Sequence, residues 1–235
     1  MSKVVTIVQA RMGSTRFPGK MMADLHGSTM MEWVLRRCLL AKRVDQVVLA
    51  TTDLPRDDVL VGVAEQCGVL ISRGKEEDVL GRFAQAAALA EAETVVRVCG
   101  DRPLVDPKWT DLAVDYYANE SVDLAFNHIP GEHDIWPRGF GVEVFSSANL
   151  YYINETQSDP FFREHVTPYI WQNQSKYKVK VVPCPMIVPP ACRFDVDTIE
   201  DFELVRSYTD SLNMDVTATE ILSSWIAKND SLQPL

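Results

Sequence analysis

Three cations, two glycines and two hydroxyl residues occur within the twelve residues QARMGSTRFPGK, positions 9–20. A glycine lets nearby backbone N–H groups approach phosphate oxygens closely, hydroxyl groups add hydrogen-bond donors, and cations compensate the phosphate charge. A solvated basic turn is the alternative interpretation, but cations concentrated in an acidic chain favour an anionic ligand. The stretch therefore predicts a loop that wraps a polyphosphate. Its candidate ligands are Arg11, Gly13, Ser14, Thr15, Arg16, Gly19 and Lys20.

The spacing of this loop differs from two common nucleotide-binding motifs. Gly13 and Gly19 are six residues apart, which does not match the G-x-G-x-x-G fingerprint of dinucleotide-binding proteins. Met21 follows Lys20 at the position where a Walker loop has Ser or Thr. The sequence therefore disfavours a P-loop NTPase and a dinucleotide-dependent dehydrogenase.

A second candidate group is the carboxylate of Asp101, which follows the apolar stretch VVRVC and Gly100. Mg²⁺ is commonly held by one or two carboxylates together with substrate phosphates, so an aspartate at a strand end near a phosphate loop suits this ion. A cap of a helix or turn before Pro103 is the alternative. The residues alone leave both interpretations open.

Asp195 and Asp197 alternate along the chain ahead of a predicted helix. An extended segment puts both carboxylates on one face, so one or both could complete a metal site begun by Asp101. Thr198 and Asp201 have nearly the spacing of a capping box, which predicts that a helix begins here.

Four stretches rich in apolar β-branched residues predict strands buried on both faces. These stretches cover residues 4–10, 46–52, 68–72 and 94–100. The segments between them have helical composition and periodicity, most clearly at residues 28–43 and 76–93. The order β-α-β-α-β-α-β predicts a three-layer α/β fold, in which helices cover both faces of a mainly parallel sheet. The ligand crevice of such a fold lies beyond the carboxyl ends of the strands.

The pattern loosens after Pro107, and the Gly-, Pro- and aromatic-rich stretch NHIPGEHDIWPRGFG indicates an insertion or arm. Further strands are predicted at residues 122–126, 142–145 and 177–183. Further helices are predicted at residues 107–119, 162–174 and 218–228 and after Asp197. The candidates for a subunit interface are Trp136, Phe140, Phe161 and Phe162.

The composition is typical of a soluble globular protein, with 46% hydrophobic and 24% charged residues among 235. The 23 Lys and Arg against 33 Asp and Glu give a net charge of −10, which argues against general affinity for nucleic acid or anionic lipid. No stretch has the roughly 18 apolar residues of a membrane span, and the first residues do not resemble a signal peptide. Five cysteines without C-x-x-C spacing argue against a disulfide framework, and His128, His133 and His165 lack zinc-site spacing. We therefore expect a cytoplasmic protein without a disulfide framework and without a zinc site.

Six motifs occur along the chain in a characteristic order and spacing. They are QARMGSTRFPGK, RGKEEDVLGRF, GDRPLVDP, GVEVFS, REHVTPYI and VDTIEDFELV. Over residues 4–205 the sequence resembles the spore-coat polysaccharide branch of the cytidylyltransferases, which are relatives of the enzymes that make CMP-activated Kdo and sialic acids.

The resemblance implies a nucleotide-diphospho-sugar transferase fold, which is Rossmann-like, with CTP as co-substrate and Mg²⁺ as cofactor. It also implies transfer of CMP from CTP to an acidic sugar, nonulosonate or Kdo-like, for surface polysaccharide or glycan synthesis. We expect one domain over residues 1–235, with residues 127–182 as an arm for the acceptor and for a homodimer. A UTP- or GTP-dependent sugar-phosphate nucleotidyltransferase and a non-catalytic nucleotide or sugar binder are the alternatives.

The resemblance also implies roles for single residues, position by position. The nucleotide-binding residues would be Ala10, Arg11, Gly13, Ser14, Arg16, Lys20, Arg73, Asp78 and Arg82. The catalytic residues would be Arg16, Lys20, Asp101 and Asp197, and the two aspartates would bind Mg²⁺. The candidate acceptor-binding residues are Arg138, Glu143, Arg163, His165 and Asp195.

One departure from the family pattern concerns the acceptor. This chain has Pro137, Arg138 and Gly139 where members of that branch often read P-D-G. A cation at this position could pair with a sugar carboxylate, or it could be a surface arginine in the arm, and the identity of the acceptor stays open.

Overall fold

The computed structural model describes residues 2–128, 136–186, 192–210 and 212–230 of the chain. The strands in these ranges are β1 (Val4–Gln9), β2 (Asp24–Leu25), β3 (Ser28–Thr29), β4 (Gln46–Thr52), β5 (Leu70–Gly74), β6 (Thr94–Cys99), β7 (Leu124–Phe126), β8 (Glu143–Ser146) and β9 (Val179–Val181). The α-helices are α1 (Met30–Leu39), α2 (Asp58–Cys67), α3 (Val79–Leu89), α4 (Pro107–Glu120), α5 (Ser147–Thr156), α6 (Pro160–His165), α7 (Pro168–Gln172), α8 (Ile199–Tyr208) and α9 (Ala218–Asp230). None of these helices is long and apolar enough to cross a membrane.

Within the described ranges, seven strands form one sheet in the order β5-β4-β1-β6-β8-β7-β9. β1 pairs in parallel with β4 and with β6, and β4 pairs in parallel with β5. β8 runs antiparallel to both of its neighbours, and β9 is parallel to β7. The predicted mainly parallel sheet is therefore confirmed, and it places the carboxyl ends of β1 and β6 side by side.

Successive residues of β1 pack into two different apolar cores. Val4 and Val8 belong to the core that includes residues of α1, α2 and α4. Val5 and Ile7 belong to the core that includes residues of α3 and α5. The sheet is thus the middle of three layers, and the loops that leave the carboxyl ends of its parallel strands meet at one edge.

The region after β8 differs from the prediction in its helices. The single helix predicted at residues 162–174 is two short helices, α6 and α7, so that prediction is wrong. Pro168 lacks the N–H that would bond to the preceding turn, and its ring would clash with the carbonyl four residues earlier. The chain breaks at Val166, whose φ is 69°. Helix α5 has no counterpart in the prediction.

The interface role predicted for Trp136 and Phe140 is also wrong, because both side chains lie in the core. Trp136 is 7% exposed and Phe140 is 1% exposed. Their rings pack edge-on against the ring of Trp109, at centroid distances of 4.9 and 5.0 Å. Phe161, by contrast, is 44% exposed.

A fully buried arginine joins α1 to the loop after β6 and to the segment before α9. The guanidinium group of Arg37 on α1 donates to the carbonyl of Val105 at 2.9 Å. It also donates to the carbonyls of Met214 and Val216, at 2.6 and 2.7 Å. Burial lowers the pKa of Arg37 to about 10, so the group stays charged at neutral pH.

Candidate active site

A cleft of about 410 Å³ opens at the carboxyl ends of β1 and β6. Parallel sheets present ligand sites at this edge, because the loops that leave adjacent strands diverge there. The residues that line the cleft are Gln9, Ala10, Arg11, Gly13, Ser14, Thr15, Arg16, Lys20, Met21, Val79, Arg82, Cys99, Gly100, Asp101, Glu164, His165 and Asp197. Most of the sequence-predicted nucleotide residues thus meet in one place, and we call residues 9–20 the phosphate loop.

The phosphate loop presents free backbone donors to the cleft. The N–H of Ser14 bonds to the carbonyl of Met12 at 2.8 Å, which turns the chain sharply. Among the described residues, the N–H groups of Gly13, Thr15 and Arg16 have no acceptor in the protein. Oriented N–H groups of this kind form an anion-binding concavity.

The phosphate loop and the loop after β6 are in direct contact at Gly100. The N–H of Gly100 donates to the carbonyl of Gln9 at 2.8 Å. A Cβ atom at position 100 would lie 3.0 Å from this carbonyl oxygen and 3.0 Å from the Cβ of Ala10. A glycine at this position therefore brings Asp101 close to the loop.

The three loop cations have different partners. Arg16 pairs with Asp197, at 3.0 Å between Nη2 and Oδ1, and its side chain is 66% exposed. Lys20 is buried, and its Nζ donates to the carbonyl of Val196 at 2.7 Å. Arg11 pairs with Glu76 at 3.2 Å. Arg16 is the cation best placed to change partners when an anion enters the cleft.

The carboxylate of Asp101 is partly unpartnered. Its Oδ1 atom is buried and has no hydrogen-bond partner in the described part of the chain. Its backbone carbonyl accepts from the N–H of Val196 at 2.9 Å, which fixes the adjacent Asp197 at the same cleft. Asp197 also lies 3.4 Å from Nη2 of Arg193. A buried carboxylate oxygen without a donor beside a phosphate loop suits a hard divalent cation.

Across the described ranges, no group of three or more His, Cys, Asp or Glu side chains could hold a metal ion by itself. A cation at Asp101 and Asp197 would thus need ligands from the substrate, as Mg²⁺ commonly does. His133 lies outside the described residues. The thiol of Cys99 lines the cleft, and burial raises its pKa, so it is neutral at pH 7.

Three of the predicted nucleotide-binding residues, Arg73, Asp78 and Arg82, occupy different places. Arg82 lines the cleft and donates to the carbonyls of Lys75 and Glu76 at 2.6 and 2.8 Å. Arg73 does not line the cleft and donates to the carbonyl of Thr52 at 2.8 Å.

Asp78 caps α3 by accepting from the N–H of Gly81 at 2.9 Å, and it pairs with Arg163 at 2.6 Å. Burial opposes ionisation of Asp78, but Arg163 and Gly81 outweigh it and lower the pKa of the carboxyl group. This ion pair joins α6 to the start of α3, so Arg163 lies beside the cleft wall rather than in it.

The other predicted acceptor residues are dispersed. His165 lines the cleft together with Glu164. Arg138 and Asp195 pair with each other at 2.9 Å, outside the cleft lining, and the Arg138 side chain is 61% exposed.

Glu143 belongs to a buried ionic network, outside the cleft lining. Its carboxylate lies 2.7 Å from Nη1 of Arg97 and 3.2 Å from Nε2 of His128. Burial favours the protonated acid, but Arg97 and His128 outweigh it and hold the pKa of Glu143 below its ordinary value. Burial and the charge of Arg102 lower the pKa of His128 to about 4. The imidazole is therefore neutral at pH 7.

Several residues of the site were not predicted. Gln9 and Cys99 end strands β1 and β6, so their position at the sheet edge carries a signal for them. Arg193 forms ion pairs with Asp195 and Asp197, which follow it by two and four residues, so this local spacing carries a signal for it.

Comparison with known proteins adds to this geometry. The model of the family described as "Cytidylyltransferase" matches residues 5–223. The spore coat polysaccharide biosynthesis protein SpsF of Bacillus subtilis (strain 168) is 30% identical over 231 residues, which cover 95% of this chain and 94% of that protein.

Solved structures agree with the fold. The structure of a cytidylyltransferase from Leptospira borgpetersenii serovar Hardjo-bovis has a TM-score of 0.89 and 31% identity, and covers 100% of this chain and 99% of that chain. A CMP:2-keto-3-deoxy-manno-octonic acid synthetase complexed with CTP has a TM-score of 0.67 and 20% identity, and covers 89% and 99% of the two chains. The predicted Rossmann-like nucleotidyltransferase fold is confirmed.

Proposed function

Because this chain belongs to the cytidylyltransferase family, we propose that it transfers CMP from CTP to an acidic sugar, of the nonulosonate or Kdo type, and releases pyrophosphate. The product would serve the synthesis of a surface polysaccharide or glycan. One observation carries the proposal: three loop cations converge on one cleft with loop N–H groups and a carboxylate oxygen that have no partner among the described residues.

The phosphate loop would hold the triphosphate of CTP. The N–H groups of Gly13, Thr15 and Arg16 have no acceptor in the described ranges and can donate to phosphate oxygens. Ser14 adds a hydroxyl group at the same wall, and Arg11, Arg16, Lys20 and Arg82 supply positive charge. Charge-assisted hydrogen bonds from such groups are roughly twice as strong as neutral ones.

The reaction requires a sugar hydroxyl oxygen to attack the α-phosphorus of CTP in line. The new bond joins this oxygen to phosphorus, the bond from the α-phosphorus to the pyrophosphate oxygen breaks, and the hydroxyl proton passes to water. Two anionic molecules must meet, so the main work of the protein is positioning and charge compensation. Arg16 and Lys20 would stabilise the charge that develops on pyrophosphate.

Asp101 and Asp197 fit a Mg²⁺ ion because both line the cleft and Asp101 has a buried oxygen without a partner among the described residues. When bound, Mg²⁺ neutralises phosphate charge and lowers the pKa of the attacking hydroxyl group. Asp197 would exchange its pairing with Arg16 for the cation, which would leave Arg16 free to contact phosphate.

We also propose that the chain forms one domain in which residues 127–182 supply acceptor and dimer contacts, and that the enzyme is a cytoplasmic homodimer. The location of His165 in the cleft lining supports the acceptor role of this region. The 44% exposure of Phe161 supports a contact surface there. The acceptor roles of Arg138, Glu143, Arg163 and Asp195 stay predictions.

A substrate grid tests the proposal. ATP, CTP, GTP and UTP are each combined with Kdo-like, nonulosonic and other acidic sugars and with Mg²⁺, and pyrophosphate is measured. We expect release with CTP and one class of acidic sugar. Release with UTP or GTP instead of CTP would contradict the proposal, and so would tight CTP binding without release for any acceptor.

A further inference from the structure

The side chain of Asp57 is fully buried, and the proposed chemistry does not use it. It ends the short 3-10 turn Pro55–Asp57, which follows β4, the neighbour of β1 in the sheet. A carboxylate without exposure to water is costly unless hydrogen bonds compensate it. The partners of Asp57 therefore indicate what it stabilises.

Both oxygens of Asp57 accept hydrogen bonds. Oδ1 accepts from the backbone N–H of Met12, in the phosphate loop, at 2.6 Å. Oδ2 accepts from the hydroxyl group of Thr52, at the end of β4. The Thr52 oxygen accepts in turn from the N–H of Leu54 at 3.2 Å. Asp57 thus ties the backbone of the phosphate loop to the end of the neighbouring strand.

A second contact joins the same turn to the loop. A Cβ atom at Gly13 would lie 3.1 Å from Nη2 of Arg56 and 2.9 Å from Oε1 of Glu76. Arg56 and Glu76 form an ion pair at this point. The turn therefore contacts two consecutive loop residues, Met12 and Gly13, one through a hydrogen bond and one through close packing.

Met12 directly precedes the part of the loop that contains N–H groups without an acceptor among the described residues. The N–H of Gly13 comes directly after the anchored residue, and those of Thr15 and Arg16 follow the turn closed by Ser14 and Met12. Because the N–H of Met12 is taken by Asp57, the loop backbone has one fixed point from which the free donors extend. Oriented donors cost no reorganisation when an anion binds.

We propose that Asp57 is a positioning residue for CTP, which orients the free N–H groups of the phosphate loop by holding Met12. This inference rests on the proposed function, because it assumes that the loop binds the triphosphate. It assigns Asp57 no contact with the substrate.

The test compares Asp57→Ala with Asp57→Asn, using calorimetric titration with CTP and Mg²⁺ and thermal unfolding of the full chain. The alanine variant loses both bonds, and we expect its Kd for CTP to rise about tenfold or more, as removal of a charged hydrogen-bond partner typically does. The side-chain amide of the asparagine variant can still accept from the N–H of Met12 and donate to the oxygen of Thr52. We therefore expect its Kd for CTP to stay within about threefold of the wild-type value, which is a smaller change in binding free energy than the ~1.4 kcal/mol of a tenfold change.

Asp106 provides the matched control. It is 2% exposed and, like Asp57, accepts one hydrogen bond on each oxygen, here from the backbone N–H groups of Trp109 at 2.9 Å and of Ala218 at 2.7 Å. It lies outside the cleft lining. We expect Asp106→Ala to lower the Tm without changing the Kd for CTP, since its bonds do not reach the phosphate loop.

Thr52→Val is the milder variant, which removes the bond from the hydroxyl group to Asp57 and the bond that this group accepts from Leu54, and keeps the Met12 contact. We expect a Kd about threefold higher, a smaller loss than that of Asp57→Ala. A folded Asp57→Ala with wild-type affinity overturns the proposal. So does an Asp57→Asn variant as weak as Asp57→Ala, and, if alanine prevents folding, a Thr52→Val variant with unchanged Kd. If neither the wild type nor Asp106→Ala binds CTP, this result contradicts the proposed function instead.

Discussion

The two walls of the cleft are held in place by different forces. The wall formed by the ends of β1 and β6 is fixed by backbone hydrogen bonds along the paired strands and by the Gly100 to Gln9 bond. The wall formed by α6 is held by side chains, chiefly the pairing of Arg163 with Asp78. None of the six residues of α6, all within the described ranges, is buried.

This difference indicates that the two walls have different tasks. Backbone pairing in a buried sheet orients the phosphate loop and Asp101 before any ligand binds. A short helix on the surface, held by an ion pair that is accessible to water, can move at a small energetic cost. We therefore expect the nucleotide side to be preorganised and the side that carries His165 to adjust to the acceptor.

The largest effect is expected at the wall formed by the ends of β1 and β6, which we call the rigid wall. Asp101→Asn keeps the shape of the side chain but removes its charge, so we expect kcat to fall by about 100-fold or more. The Tm should change little, because Oδ1 has no partner in the described structure to lose. Pyrophosphate release and thermal unfolding measure the two effects. Normal activity of this variant would mean that the rigid wall does not carry the chemistry.

A second prediction concerns the buried network that joins β6 to β8. His128 has a pKa of about 4 when folded, against about 6.5 when unfolded, so the unfolded chain binds more protons between these pH values. Stability therefore falls as the pH falls through this window, by roughly 2 kcal/mol from pH 7 to pH 5.

Urea unfolding at several pH values checks this prediction, with His128→Gln as the variant without the titrating group. We expect the variant to show a shallower loss between pH 6.5 and pH 5. If the free energy of unfolding depends on pH in the same way in the wild type and the variant, groups other than His128 cause the pH dependence.

The wall formed by α6, which we call the helical wall, should bind the acceptor less well when its ion pair is lost. Arg163→Ala removes the contact with Asp78, and we expect the KM for the acceptor to rise about fivefold while the KM for CTP stays unchanged, in line with ~1 kcal/mol for such a pair. Asp78→Asn, which keeps the cap of α3 but loses the pairing, should share this effect.

Steady-state kinetics of both variants decide between positioning and contact. If the KM for the acceptor rises in Arg163→Ala but not in Asp78→Asn, Arg163 contacts the acceptor directly. Arg43→Ala, which breaks the exposed pair of Arg43 with Asp115 on another surface, is the control and should leave both KM values unchanged.

The smallest effect is expected at Arg138. Its side chain is 61% exposed and its pairing with Asp195 reaches solvent, so Arg138→Ala should change the free energy of unfolding by less than ~0.5 kcal/mol. We expect a rise of about twofold in the KM for the acceptor and no change in the Kd for CTP, measured by kinetics and titration. An effect on CTP alone would contradict the predicted acceptor role.

The rigid wall could be predicted from the sequence for a physical reason. Strands buried on both faces leave continuous apolar stretches, and parallel order fixes which ends meet. Residues 10–20 and Asp101 follow two such strands, so their meeting place follows from the topology.

The helical wall was harder to predict. Helix α5 contains Tyr151, Tyr152 and Ile153, residues with no strong helix propensity, and α6 ends at a break set by Pro168. The pairing of Arg163 with Asp78 joins residues 85 positions apart and depends on how α6 packs. Such contacts follow from tertiary packing rather than from local pattern.

Arg37 has a consequence for how the chain can be shortened. Its guanidinium group depends on carbonyl oxygens at positions 214 and 216, just before α9. Proteolysis or truncation ahead of these positions would remove two carbonyl partners of a buried cation that does not line the cleft. Fragments that lack this segment should aggregate or refold poorly even though every residue that lines the cleft is retained.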